Sequence, residues 1–331
     1  MAKNKSFEGV NLGAWLVLER WMTPALFEGT DAEDEYSFMK TDVGAKRIEE
    51  HRNTFITEDD WKWLAEHNVT HVRLPVGYWA LHDDAPYKNT AKHLDWAFAM
   101  AEKYNVHILL DLHALKGSQN GEAHSGKLGS VKWRQYEQDS LEVVKELALR
   151  YRDSPALWGL EIINEPKVIG NYIALLRYYR DAYKMLRGVL KPGTYTVFQD
   201  GFFPLLFSGA LWAHKNHPII MDTHFYGAFQ EQLSAWSPKA YDRFRRVLYE
   251  GVLLLTTWRQ PVMVGEWSSV LSRKMISRAP NDEEYAMLAA TIERQRYMYR
   301  RAIGRFYWNY KTEGLGMFNY HSLVEAGAIN T

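Results

Sequence analysis

The sequence predicts an α/β fold, a single closed (β/α)8 barrel spanning residues 1–331, with its active site at the C-terminal ends of the strands. Two observations predict it. Short apolar runs alternate with longer segments of helical period along the whole chain, the pattern of a parallel sheet wrapped by helices. Eight such units can be counted, and a barrel of eight commonly reaches this length as one domain.

The first strand is expected from Phe7 to Leu12, and a long aromatic connection, Gly13 to Phe55, follows it. Thr57-Glu58-Asp59-Asp60 has the form of a capping box with Asp in the place of Glu, and opens a helix through Trp61 and Leu64. The second strand is expected from Val69 to Pro75 and the third from Val106 to His113; a second long, Gly-rich connection runs from Ala114 to Ser130. Leu141, Val144, Ala148 and Tyr151 keep helical spacing ahead of a fourth strand from Leu157 to Asn164. Strands five to seven are expected at Thr194 to Gln199, Pro218 to His224 and Pro261 to Glu266. Tyr285, Leu288 and Ile292 mark the next helix, and Arg305 to Tyr310 the eighth strand. The tail from Glu313 to Thr331 reads as a final turn and helix. No linker or shift of composition marks a second domain, so no appended binding module is expected.

Composition narrows the partner. Lys plus Arg equals Asp plus Glu at 40 each, so the summed field favours neither nucleic acid nor an anionic membrane. A neutral ligand is expected. Thirteen Trp and 20 Tyr supply flat rings with a polar edge, which suit the apolar face and hydroxyl rim of a sugar, although most must be core. With no cysteine there is neither a disulfide framework nor a thiolate ligand or nucleophile. The basic start, Met1 to Ser6, runs into the first strand without a signal-peptide pattern, so the chain as it stands is expected in the cytoplasm. No run approaches the length of a spanning helix. The tyrosines between Tyr172 and Tyr183 suit a dimer interface and helix-on-barrel packing equally, which leaves monomer and homodimer both open.

The strand-end polar residues converge at one mouth in such a barrel: Arg73, His113, Asn164, Glu165, His224, Tyr226, Glu266 and Trp308. Glu165, in Asn164-Glu165-Pro166, and Glu266, in Gly265-Glu266-Trp267, each follow an apolar run. Two carboxyl groups at one mouth are what glycoside hydrolysis needs, one to protonate the leaving oxygen and one to attack or to activate water. Alone, Glu165 is a helix-start carboxylate, His113 and His224 are core-edge histidines and Trp308 is barrel core; their convergence favours the catalytic reading. Arg73 beside Glu266 is expected to keep that carboxyl ionised, and Tyr226 to hold it in attacking position.

At these residues the chain resembles family 5 of the glycoside hydrolases, and within it the exo-β-1,3-glucanases of fungal type. The matching stretches are Gly9 to Glu19, Thr23 to Glu28, Phe55 to Glu58, Val72 to Ala80, Asp111 to His113, Gly117-Ser118-Gln119-Asn120-Gly121 and Trp308 to Glu313. The resemblance implies a retaining exo-enzyme that releases glucose from the non-reducing end of β-1,3-glucan or gluco-oligosaccharides by double displacement, with no cofactor and no metal. It implies Glu165 as acid/base and Glu266 as nucleophile, with Glu19, Arg73, His113, Asn164, His224, Tyr226 and Trp308 around the first sugar. It also implies a pair of phenylalanines clamping the entrance. Phe229 matches one; Glu122 stands where the other is expected, and Ala114-Leu115-Lys116 departs from the family's usual loop.

This chemistry requires the two carboxyls to titrate apart, with Glu266 low and Glu165 raised until Glu266 loses its charge; an acidic to near-neutral optimum follows. An endo-β-1,4-glucanase or β-mannanase would share the catalytic residues, and a β-glucosidase acting on other glucosides fits the altered clamp. A sugar-binding protein on an inactive barrel is the non-enzymatic alternative.

Overall fold

The computed structural model describes residues 6–226, 238–269, 282–313 and 316–331. Eight parallel strands close on themselves in chain order. They are β1 (Phe7–Asn11), β2 (His71–Gly77), β3 (His107–Ala114), β4 (Leu157–Glu161), β5 (Tyr195–Gln199), β6 (Ile219–Phe225), β7 (Val262–Trp267) and β8 (Gly304–Tyr307). Each pairs with its sequence neighbour, and β8 returns to β1 through Phe7 opposite Gly304. The (β/α)8 barrel expected from the alternating pattern is the fold observed.

Most strands lie within two residues of their expected limits. β4 and β8 are the exceptions: β8 ends at Tyr307 rather than Tyr310, and the β4 ladder ends at Glu161 whereas Asn164 was expected to close it. Ile162 still donates to the Val197 carbonyl at 3.0 Å, and the backbone then leaves the sheet. Ile162 and Ile163 are fully buried, so their apolarity reflected burial rather than pairing. Glu165 therefore lies in the loop beyond the strand, with φ 41°.

The helices pack their apolar faces on the barrel wall. The helix Tyr172–Leu186 buries Leu175, Tyr178, Tyr179, Ala182, Tyr183 and Leu186, the spacing of one helical face. Its phenols also satisfy strand-end carbonyls, Tyr178 to Ile162 at 2.8 Å and Tyr179 to Gln199 at 2.7 Å. Burying such a ring contributes a few kcal/mol and its hydrogen bond about 1 kcal/mol more. These tyrosines belong to the core. The expected cap is present as well, with Thr57 N donating to Asp60 Oδ2 at 2.7 Å ahead of the helix Glu58–Glu66.

Inside the barrel, Leu109, Val197, Ile220, Met263 and Phe306 form an apolar plug. Towards the strand ends this gives way to buried polar side chains. The connection after β1 carries its own core of Leu18, Phe27, Phe38 and Ile48, and is anchored by the buried pair of Arg52 and Glu35 at 2.8 Å. Glu35 also accepts from Leu18 N at 3.0 Å, which fixes the backbone just before Glu19. Among the described residues no helix is long and apolar enough to cross a membrane.

Candidate active site

Arg73, on β2 and fully buried, organises the site. Its Nε donates to Glu161 Oε2 at 2.8 Å, Nη1 to Glu266 Oε1 at 2.9 Å and to Asn11 Oδ1 at 3.1 Å, and Nη2 to Asn164 Oδ1 at 2.8 Å. Asp111 Oδ2 lies 3.0 Å from Nη2. One planar guanidinium thus spans five residues from four other strands or their ends, which a lysine's point charge cannot do. Its own charge is held firmly: burial opposes it, and Asp111, Glu161 and Glu266 outweigh that cost.

Glu266 closes on Tyr226, whose hydroxyl donates to Oε2 at 2.6 Å. Burial and the facing carboxylate push the Tyr226 phenol far above its usual range, so it remains a donor. Gly265 is a close-approach position: a Cβ there would fall 2.0 Å from Asp222 Oδ2, and Gly265 N donates to Asp222 Oδ1 at 2.5 Å. The β6–β7 register shifts at Thr223/His224, which brings His224 opposite Glu266.

His224 sits between three carboxylates. Its Nδ1 is 2.6 Å from Glu165 Oε1 and 3.5 Å from Glu266 Oε2, and its Nε2 is 3.0 Å from Asp222 Oδ2. Acceptors at both ring nitrogens favour the imidazolium. Burial opposes that charge, and Glu266, Asp222 and Glu165 raise the His224 pKa well above its usual value. The consequence corrects the expectation for Glu165. Burial pushes its carboxyl up, but the hydrogen bond and charge of His224, then His124 and His113, bring it down to about 2. The expected high value rested on the charge of Glu266 and left out the imidazolium between the two carboxyls.

The loop after β3 positions the fourth-strand end. Gln119 Nε2 donates to the carbonyls of His113 and Asn164 at 2.7 and 2.8 Å, and Asn120 Nδ2 donates to the Glu165 carbonyl at 3.1 Å. Because Arg73 takes the Asn164 oxygen, the Asn164 amide presents an N–H to His113 Nε2 at 3.3 Å; His113 Nδ1 then faces Asp111 at 2.7 Å. Trp308 lies parallel to His113, with ring centroids 5.8 Å apart at 11°. Glu19 accepts from Trp21 Nε1 at 2.7 Å, and burial, partly offset by His113 and that bond, lifts its carboxyl to about 7.

All ten expected positions but one fall within the description. Glu19, His113, Asn164, Glu165, His224, Tyr226, Glu266 and Trp308 line one cavity of about 940 Å³, and Arg73 lies directly beneath. Phe229 lies outside the described residues. Glu122 is exposed, and its backbone N donates to Asn120 Oδ1 at 2.9 Å. The residue of that loop that reaches the site is His124, whose Nε2 stands 3.3 Å from Glu165 Oε2. Sequence reading missed it, as it missed the strand carboxylates Asp111, Glu161 and Asp222 and the aromatic pair Phe202 and Phe203 on the cavity wall. Phe202-Phe203, three residues past the end of the expected fifth strand, was a usable signal; a histidine in a loop was not.

Among the described residues two clusters have the donor types of a metal site, Glu161 with Asp222 and His224, and Glu165 with His224 and Glu266, the ligand atoms in each lying within 4.8 Å of one another. Both contain His224, whose nitrogens are engaged by carboxylates; Arg73 already donates to Glu161 and Glu266, and Tyr226 to Glu266. This donor set fits an ion-pair network better than a cation.

No family model matches the chain. A probable glucan 1,3-β-glucosidase A of Emericella nidulans is 37% identical over 277 residues, covering 80% of this chain and 67% of that protein. A probable glucan 1,3-β-glucosidase A of Aspergillus fumigatus is 30% identical, covering 98% and 87%. Among solved structures, a rutinosidase from Aspergillus niger superposes with a TM-score of 0.79 at 22% identity over 98% of each chain. The Cel5A of Thermotoga maritima, in complex with mannotriose, gives 0.65 at 17% identity over 98% and 97%. These two structural likenesses concern the fold.

Proposed function

The chain belongs to the glucan 1,3-β-glucosidase group of glycoside hydrolase family 5, and on that premise we propose that it is a retaining exo-acting β-1,3-glucanase releasing glucose from the non-reducing end of its substrate. The relatives' names give the substrate class. The observation that carries the mechanism is the separation of the two carboxylates. An oxygen of Glu165 and one of Glu266 lie within 4.8 Å of each other. Retaining enzymes hold their carboxyls about 5–5.5 Å apart, too close for a water to act between one of them and the sugar.

In this reading Glu266 is the nucleophile. Arg73 and Tyr226 each hold one of its oxygens, which fixes the orientation of the carboxylate. Glu165 is the acid/base. It shares one proton with His224 across a 2.6 Å hydrogen bond, and bond cleavage proceeds from the state in which Glu165 carries that proton. As Glu266 spends its charge on the anomeric carbon, the field holding the proton on His224 weakens, so the proton becomes available to the leaving oxygen. A covalent glucosyl-Glu266 results. Glu165, now a base, takes a proton from water, and that water's oxygen attacks the anomeric carbon and frees Glu266. Glu19, with Trp21, and the Trp308 face hold the terminal glucose.

Released sugars from laminari-oligosaccharides, cello-oligosaccharides and gentiobiose, followed with the anomer resolved, test the reading. β-Glucose from the outset in the β-1,3 series is expected. Mixed oligomers, α-glucose as first product, or preference for the β-1,4 series would overturn it.

A further inference from the structure

We propose that the leaving-group side of this cavity accepts an apolar aglycone, so that β-glucosides of alkyl or similarly apolar alcohols are substrates alongside glucans. This rests on the glucosidase reading above. The general acid protonates the departing oxygen, so whatever borders Glu165 on that side faces the leaving group. His224, hydrogen-bonded to Glu165 at 2.6 Å, has the Phe202 ring edge-on to it, with centroids 6.3 Å apart. From Phe202 the cavity wall continues through Phe203, Leu205, Leu206, Leu248 and Val252. None of these six side chains has a hydrogen-bonding atom.

The wall is not ordinary core. Phe202, Phe203, Leu205, Leu206 and Leu248 are each 40–54% exposed, and all line the cavity that holds the catalytic groups. The wall's first residue is also held in a conformation that a phenylalanine rarely adopts. Phe202 has φ 68°, and its backbone N donates to Asp200 Oδ1 at 2.8 Å. Strain of this kind persists where the surroundings enforce it. A second sugar set on this wall would lose water from hydroxyls without gaining partners among these residues, whereas a hydrocarbon gains from every methylene it covers.

The test is kcat/KM for methyl, butyl, hexyl and octyl β-D-glucosides, kept below their micelle concentrations, with laminaribiose in parallel. These alkyl alcohols share leaving-group chemistry and differ mainly in apolar length. A rise approaching about fourfold per methylene laid on the wall is expected. Leu206→Asn should lower the octyl-to-methyl ratio several-fold. A flat series with laminaribiose still cleaved would overturn this inference and leave the glucosidase reading standing. A rising series whose ratio Leu206→Asn does not change would place the aglycone elsewhere and also overturn it. Turnover of neither the glucosides nor laminaribiose would remove both.

Discussion

His224 Nδ1 stands 2.6 Å from Glu165 Oε1 and 3.5 Å from Glu266 Oε2, so one imidazole faces both members of the proposed catalytic pair. Asp222, bonded to its other nitrogen at 3.0 Å, keeps the ring oriented. In the proposed mechanism this arrangement would give Glu165, as acid/base, a proton store, with the charge of Glu266 governing where the proton resides.

Glu165→Gln should therefore separate substrates by leaving group. On laminaribiose kcat/KM should fall by ~10²–10⁴-fold, the usual worth of a positioned general acid. On 2,4-dinitrophenyl β-glucoside the glycosylation step should fall far less, because that leaving group departs without protonation. Equal losses on both substrates would contradict the acid role.

His124 offers a finer test. Its Nε2 lies 3.3 Å from Glu165 Oε2, and its charge is among the causes that lower the Glu165 carboxyl. In His124→Gln the Glu165–His224 pair should hold its proton to higher pH, moving the alkaline limb of kcat/KM upward. An unmoved limb would show that His124 does not act on the acid.

Glu19 makes a stability prediction. Its carboxyl rises from the ordinary 4.5 to about 7 on folding, chiefly by burial. The unfolded chain ionises first as pH rises, so the stability Glu19 contributes is complete below 4.5 and is lost as pH passes through about 7. Relative to wild type, Glu19→Gln should gain stability between pH 5 and pH 8, by up to about 3 kcal/mol. Denaturant midpoints of the two proteins at both pH values measure this; a constant difference would contradict it.

Arg73→Lys should be severely destabilised. Three buried carboxylates and two amide oxygens converge on that guanidinium, and breaking one buried pair alone typically costs about 3–5 kcal/mol. Thermal unfolding reads the loss; a midpoint near wild type would show that the network tolerates a single ammonium.

The barrel was legible because burial on both faces leaves continuous apolar runs, and helices keep their 3.6-residue period; Tyr178 and Tyr179 fall where that period puts them. The end of β4 was not legible, since Ile162 and Ile163 are as apolar as paired residues while lying beyond the ladder. Arg73, Glu165 and Glu266 could be read from their places after or within such runs. Asp111, Glu161 and Asp222 could not, because a lone carboxylate in a buried strand gives no sign of the cation it meets. The direction of the Glu165 shift failed for the same reason: it depends on His224 presenting one nitrogen to Glu165 and the other to Asp222, and only three-dimensional placement fixes that.

The most direct test of the central claim is covalent capture of the nucleophile. Incubation with 2,4-dinitrophenyl 2-deoxy-2-fluoro-β-glucoside, followed by peptic digestion and mass spectrometry, should find one fluoroglucosyl group per chain, on the peptide containing Glu266. Modification of Glu165 instead, or inactivation without a glucosylated carboxylate, would contradict the assignment of the pair.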